Sequence, residues 1–199
     1  MKRILIRSLN KSFGDKRVLH DFNAEIPLYG TTVIMGESGC GKTTLINILM
    51  GLEKADSGDI VSLPRRIAAV FQDDCLCEEF SAISNLRAVV GRKQRPEELV
   101  AYLEAMELGG DDIKRPVREL SGGMKRRVAI ARALIAESDF IIMDEPFKGL
   151  DEELRKKIAK FVSKEAKSEK KQGRRGLLII THDPEEIEIM SADHTIIMN

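Results

Sequence analysis

No apolar run in this chain approaches the ~18 residues that a membrane-spanning helix requires. Net charge is missing too. The 32 lysines and arginines balance 32 aspartates and glutamates, which argues against a dominant electrostatic attraction to nucleic acid. Cysteine is scarce: Cys40, Cys75 and Cys77 form neither a CxxC pair nor a metal-ligand set, and three unpaired thiols suit a reducing cytosol. MKRILIR makes a poor secretory leader, because Arg7 interrupts its apolar stretch, and it reads instead as a first strand. Internal repeats and low-complexity tracts are absent. A length of 199 residues suits one compact domain, or a domain with a subdomain.

What the chain does have is two glycine-rich turns. The first, GESGCGKTT from Gly36 to Thr44, fits G-x-x-x-x-G-K-[ST]. A short buried strand, Thr32 to Met35, precedes it, and a helix start, Thr44 to Met50, follows. Gly36, Gly39 and Gly41 let the backbone turn so that N–H groups along Glu37, Ser38, Cys40 and Thr44 face phosphate oxygens, and the following helix adds its positive dipole end. Lys42 reaches the β- and γ-phosphates, and the Thr43 hydroxyl suits Mg²⁺. The motif therefore calls for a nucleotide such as ATP together with Mg²⁺. Cys40 reads as a small filler in the loop, with the redox sensitivity of its thiol left open.

Along the chain, Ile4 to Leu9 and Val18 to Ile26 read as strands joined through Gly14-Asp15-Lys16, and Pro27 to Thr31 as a turn into the P-loop strand. Ile67 to Phe71, Phe140 to Met143, Leu177 to Ile180 and Ile196 to Met198 read as further strands. The stretch from about Asp73 to Ile135 is mostly helical in pattern. Within it Leu99, Tyr102, Leu103 and Met106 lie at helical spacing, in a helix that Gly109-Gly110 ends. Glu152 to Ala166 reads as an amphipathic helix. Lys167 to Gly176 reads as a solvated helix end and loop rather than a nucleic-acid contact.

Strands alternating with helices imply a mostly parallel sheet, with ligands outside the carboxyl ends of its strands. Four strands end in residues suited to phosphate chemistry. Met35 leads into the P-loop, Phe71 into Gln72, Met143 into Asp144-Glu145, and Ile180 into Thr181-His182-Asp183. Asp144 is placed to hold Mg²⁺ through water, and Gln72 offers an amide oxygen to the metal or the attacking water. Glu145 is the candidate for orienting or deprotonating that water. His182 is the candidate for bonding the γ-phosphate or aligning Glu145.

The second turn is LSGGM, Leu120 to Met124. Ser121 suits an N-cap, residues from Met124 onward are helix-forming, and Gly122 and Gly123 allow a ligand close to the backbone. It is a second anion-binding helix N-terminus, and one γ-phosphate has little room for two complete cradles from a single chain. The economical solution is that this cradle serves a nucleotide held by another copy, in a head-to-tail dimer with two ATP molecules at its interface.

The segment LSGGMKRRVAIARAL, with GESGCGKTT, Gln72, FIIMDEP and THD in that order, resembles ATP-binding cassette (ABC) ATPases over nearly the whole chain. The resemblance implies an α/β P-loop NTPase with a mostly parallel sheet core, an N-terminal antiparallel β subdomain and an inserted α-helical subdomain. Approximate bounds are 1–72 and 136–199 for the core with its β subdomain and 73–135 for the helical part. It also implies that Ser121, Gly122 and Gly123 touch the partner's ATP, that Gly149-Leu150-Asp151 form the loop crossing the dimer interface, and that Phe13 stacks on adenine.

FQDDCLCEEFSAISNL and DEPFKGLD look like the importer branch that handles nitrate, sulfonates and taurine. That branch often has Pro-Trp where this chain has Glu78-Glu79, and this chain has no Trp, so the surface that meets a membrane subunit differs. The chain ends soon after His182, which implies no extra regulatory domain. The reading is an ATPase subunit on the cytoplasmic face of a membrane, partnered by a second such subunit, most simply an identical one, and by an integral membrane permease. An extracytoplasmic substrate-binding protein and the cargo itself are left open. An exporter ATPase is the alternative within the class. A non-transport member acting on nucleic acid or ribosomes fits less well, because only one cassette is present and no room exists for a long coiled coil. No NKxD follows the P-loop strand to read guanine.

Overall fold

The computed structural model describes residues 2–91, 94–168 and 175–198. Strands β1 (Arg3–Phe13) and β2 (Lys16–Pro27) form a hairpin across Gly14, whose φ of 58° suits the tight reversal. After β3 (Gly30–Gly36) and helix α1 (Lys42–Leu49), the chain returns as β4 (Ser57–Val61) on the free side of β1, completing an antiparallel sheet of order β2-β1-β4. The second sheet adds β5 (Ile67–Val70), β6 (Phe140–Asp144), β7 (Gly176–Thr181) and β8 (His194–Met198), in the order β5-β6-β7-β3-β8. All its described pairings are parallel. Helices α2 (Ala82–Val90), α3 (Pro96–Ala105) and α4 (Gly122–Ile135) lie between β5 and β6 in sequence, α5 (Glu152–Lys167) between β6 and β7, and α6 (Pro184–Met190) between β7 and β8.

The parallel sheet is covered on both faces, which is why FIIM and LLII are unbroken apolar runs rather than alternating ones. Val33, Ile141, Met143, Leu177 and Ile179 belong to one core with the buried faces of α2 to α5. Ile34, Phe140, Ile142, Leu178 and Ile180 belong to the other, with α1 and the inward residues Ile4, Ile6, Leu9, Leu19 and Ile26 of the hairpin. Each fully buried Leu or Ile contributes about 1.5–3 kcal/mol of transfer free energy, and these residues are essentially inaccessible to solvent.

Several elements depart from the sequence reading. The P-loop strand begins at Gly30, inside the expected turn, because β7 and β8 offer it partners on both sides. Strand β4 (SGDIV) carries turn-like residues and only a half-buried Ile60; its pairing with β1 makes it a strand. Helix α6 is short and acidic, begun by Pro184 and capped by the Asp183 carboxylate on the Glu185 amide. The helical stretch is less continuous than its pattern suggests, since residues 73–80 are irregular. Helix α3 ends at Ala105, ahead of Gly109-Gly110, with Glu107 at φ 56° and the Arg127 guanidinium bonding the Met106 and Glu107 carbonyls at 2.9 and 2.7 Å. Within the expected solvated run Lys167 to Gly176, residues 169–174 lie outside the described residues. Arg175 is buried, however, with its guanidinium on the last carbonyls of α4.

Gly176 stands beside Phe140 in the sheet. A Cβ there would overlap the Phe140 ring and lie 2.8 Å from the Leu28 carbonyl oxygen. Gly176→Ala is therefore expected to lower the unfolding free energy by about 1–3 kcal/mol, seen as a lower urea midpoint with an unchanged slope.

Candidate active site

The parallel order brings the carboxyl ends of β5, β6, β7 and β3 side by side, with Asp144 opposite Ile180 and Met35 opposite Thr181. A cavity of about 360 Å³ opens at this rim, lined by Phe13, Ser38, Gly39, Gly41, Lys42, Thr43, Thr44, Gln72, Asp144 and Glu145 among others. A second cavity shares Ser38 with it and is lined also by Gly36, Glu37, Cys40 and His182. Ser121, Gly122, Gly123 and Asp151 line neither.

The loop geometry follows from its glycines. Gly41 is the N-cap of α1 at φ 102°, and a Cβ there would sit 2.8 Å from the Val18 carbonyl oxygen, so only glycine fits. The buried Lys42 ammonium donates to the carbonyls of Gly36 and Glu37, both at 2.7 Å, with Cys40 Sγ at 3.7 Å. Thr43 Oγ1 donates to Asp144 Oδ2 at 3.0 Å, so the first residues of α1 are tied to the end of β6. Burial pushes the Asp144 carboxyl above its usual range and Glu145 adds repulsion, while the Thr43 hydroxyl and the charges of Arg126 and Lys42 oppose the rise.

Glu145 adopts φ 45°, a left-handed backbone that costs a non-glycine residue about 1–2 kcal/mol. Its amide donates to the Ile180 carbonyl at 2.9 Å, and the turn swings its side chain away from that of Asp144 toward β7. There Oε1 meets His182 Nδ1 at 3.0 Å and Oε2 accepts from Lys148 Nζ at 2.9 Å. Burial raises the Glu145 carboxyl, but the hydrogen bonds and charges of Lys148 and His182 outweigh it and leave the group below its usual range.

Phe13 is half exposed at the cavity edge, with the Lys11 ammonium 4.9 Å from its ring centroid. Ser121 caps α4, its hydroxyl accepting from the Met124 amide at 3.3 Å, and Gly122 faces open space. Asp151 caps α5 by accepting from the Leu154 amide at 3.0 Å. The two caps are close neighbours: a Cβ on Gly123 would lie 3.5 Å from the Leu150 side chain.

Two residues escaped the sequence reading. Lys148 follows Glu145 at i+3 within DEPFK, a spacing that itself suggests an ion pair. Arg126 lies on the buried stripe of α4 with Ile130, Ala133 and Leu134, and a charge on such a stripe is the signal that could have revealed it.

Comparison with known proteins gives a consistent result. Residues 19–148 match the family model described as "ABC transporter". The chain is 33% identical to the aliphatic sulfonates import ATP-binding protein SsuB 1 of Paracoccus denitrificans, over 98% of this chain and 78% of that protein. It is 34% identical to the sulfate/thiosulfate import ATP-binding protein CysA of Halalkalibacterium halodurans, over 98% of this chain but only 58% of that longer protein. Among solved structures, the cassette MJ0796 in a dimeric post-hydrolysis state bound to ADP and Pi superposes with a TM-score of 0.81, at 25% identity, over 98% of this chain and 94% of that one.

Thr43→Val removes the donor that favours ionised Asp144. A carboxyl whose folded pKa is raised weakens stability as pH climbs through that value, so loss of the donor adds its full cost only where Asp144 is ionised. The variant is expected to lose about 1 kcal/mol at neutral pH. The deficit should shrink as pH falls through the Asp144 titration, as read by urea unfolding across a pH series.

Proposed function

This chain belongs to the ABC transporter family, and from that premise we propose that it is the ATP-binding, ATP-hydrolysing subunit of an importer of a small molecule or oxyanion, acting as a dimer on a separate membrane permease. The observation that carries this reading is the rim cavity itself. It gathers Lys42, Thr43, Asp144 and Glu145 around one volume, while the exposed second helix N-terminus at Ser121 to Gly123 faces elsewhere and is free for a nucleotide on another copy. The relatives named above are import ATP-binding proteins, and the solved relative is a dimer bound to ADP and Pi. Among the described residues no helix is long and apolar enough to cross a membrane. The cytoplasmic side of a permease fits that, and an extracytoplasmic binding protein would deliver the cargo.

The P-loop amides and Lys42 hold the β- and γ-phosphates, and Phe13 packs its ring on the adenine. Mg²⁺ fits the pair of hard oxygens held 3.0 Å apart, the Thr43 hydroxyl and the buried Asp144 carboxylate, with the Gln72 amide at the same cavity. When bound, the ion neutralises charge on the phosphate oxygens. In hydrolysis a water oxygen bonds the γ-phosphorus, the bond to the β–γ bridging oxygen breaks, and Glu145 takes the water proton. His182 holds the Glu145 carboxylate in place. With Lys148 on its other oxygen, Glu145 has both oxygens engaged in the isolated chain, so one partner must yield before it serves as a base. Closure against a second copy supplies that change, with Ser121, Gly122, Gly123 and the loop around Asp151 completing the partner's site. The core (about 1–72 and 136–199) carries the nucleotide, and the helical part (about 73–135) carries the signature turn.

Glu145→Gln is expected to form a dimer in light scattering only when MgATP is present, and adding Ser121→Arg should abolish that dimer without weakening ATP binding to the monomer. A monomeric Glu145→Gln, or lost monomer binding in the double variant, would remove the shared-site model. In proteoliposomes carrying the permease, ATP supplied on the ATPase side should drive cargo toward that side; accumulation on the opposite side would make the complex an exporter.

A further inference from the structure

Arg126 is almost inaccessible to solvent and sits in the second turn of α4, the helix that opens at Ser121. Its guanidinium has five N–H donors in a rigid plane, and all are engaged. Nε donates to the Pro146 carbonyl at 3.2 Å. One terminal nitrogen donates to the carbonyls of Phe71 and of Gln72, the latter at 3.3 Å, and to the Asp74 carboxylate at 3.0 Å. The other donates to the carbonyls of Asp144 and Glu145, the latter at 2.8 Å.

Apart from the Asp74 carboxylate, these acceptors share a property. They are main-chain oxygens just where β5 and β6 leave the sheet, so the ladder no longer supplies them with donors, and buried carbonyls without donors are costly. They also flank the proposed reacting groups: Gln72 on one side, Asp144 and Glu145 on the other. Glu145 is held in a left-handed backbone that persists only where its surroundings over-determine it. The Ile180 carbonyl fixes its amide, and Arg126 fixes its carbonyl. A second arginine of the same helix, Arg132, bonds the carbonyls of Asp74 and Cys75, so the Gln72 loop is pinned to α4 twice.

We infer that Arg126 is a positioning residue that braces the signature helix to Gln72 and Glu145, so that docking of Ser121 to Gly123 on the partner's nucleotide sets the geometry of the water-activating groups in the same chain's own site. This inference rests on the shared-site reading above. It explains how two composite sites in a dimer become mutually dependent: the helix that senses one nucleotide is fastened, through one guanidinium, to the groups that act on the other. The brace requires the planar fork. A lysine ammonium carries charge but cannot serve six acceptors spread over two segments, 71–74 and 144–146, at once.

The test uses the full chain with Arg126→Gln and Arg126→Lys, each alone and combined with Glu145→Gln. Both are expected to bind ATP as monomers with unchanged affinity and to form the ATP-dependent dimer in the Glu145→Gln background. In the otherwise native chain, both should lower kcat on the order of tenfold, the rate equivalent of one lost charge-assisted hydrogen bond. KM should move less than about twofold, and the Hill coefficient for ATP should fall toward ~1. The milder Asp74→Asn, which keeps an acceptor but removes the carboxylate, should shift kcat the same way by about twofold and keep the fold if Arg126 variants do not. Native kcat and Hill coefficient in the Arg126 variants, full rescue by lysine, or a native rate in Asp74→Asn would overturn the inference. So would loss of ATP binding or of the dimer in the double variants, which would make Arg126 a purely structural residue. Failure of Glu145→Gln to dimerise with Arg126 intact would instead strike the shared-site reading.

Discussion

The parallel pairing of β5, β6, β7 and β3 is the constraint on which everything else depends. Parallel strands end at the same side, so each crossover returns the chain through a helix and delivers the next loop to the same rim. Residues distant in sequence, Thr43 and Asp144 or Glu145 and His182, become hydrogen-bonding neighbours because this register brings their strand ends to one rim. The register in turn depends on burial: β6 and β7 are covered on both faces, and strands that touch helices above and another sheet below have no polar face to slip toward.

The same burial creates a difficulty at the rim. A strand that stops in the interior leaves carbonyls without ladder partners, and a carboxylate at its end is poorly solvated. The Asp144 carboxyl feels this as an upward pressure on its pKa, opposed by Thr43 and two cations. The carbonyls around Gln72 and Glu145 are satisfied by one arginine entering from the helical side. The rim is thus polarised from both flanks, by the P-loop and by α4.

Much of this was legible in the sequence. Unbroken apolar runs announce doubly covered strands, and G-x-x-x-x-G-K-[ST] between a strand and a helix carries its own geometry, so the strands bearing the cavity and most of the residues lining it, though not Lys16, Val18 or Lys148, could be read directly. Local patterns did not reveal elements whose identity depends on partners. Strand β4 is SGDIV, which becomes a strand only because the edge of β1 is there to receive it. Helix α3 stops at Ala105, where Arg127, far along the chain, takes the carbonyls of Met106 and Glu107 just beyond its end, and not at the glycines that local rules favour. Lys148 and Arg126 were missed for the same reason. A lysine or arginine in a helical stretch reads as a solvated cation until the fold shows which oxygens surround it.

Lys42 carries a consequence for how strongly the loop can grip anything. Its ammonium already rests on the carbonyls of Gly36 and Glu37. Internal ligation of this kind fixes the ring of the loop before any guest arrives, so little chain entropy remains to be lost on binding. In the role proposed for Lys42, an arriving phosphate competes with oxygens that are already good acceptors. Net affinity is then the difference between two well-made coordination shells, which favours an exchangeable guest over a permanent one and suits a cycle in which the spent nucleotide must leave.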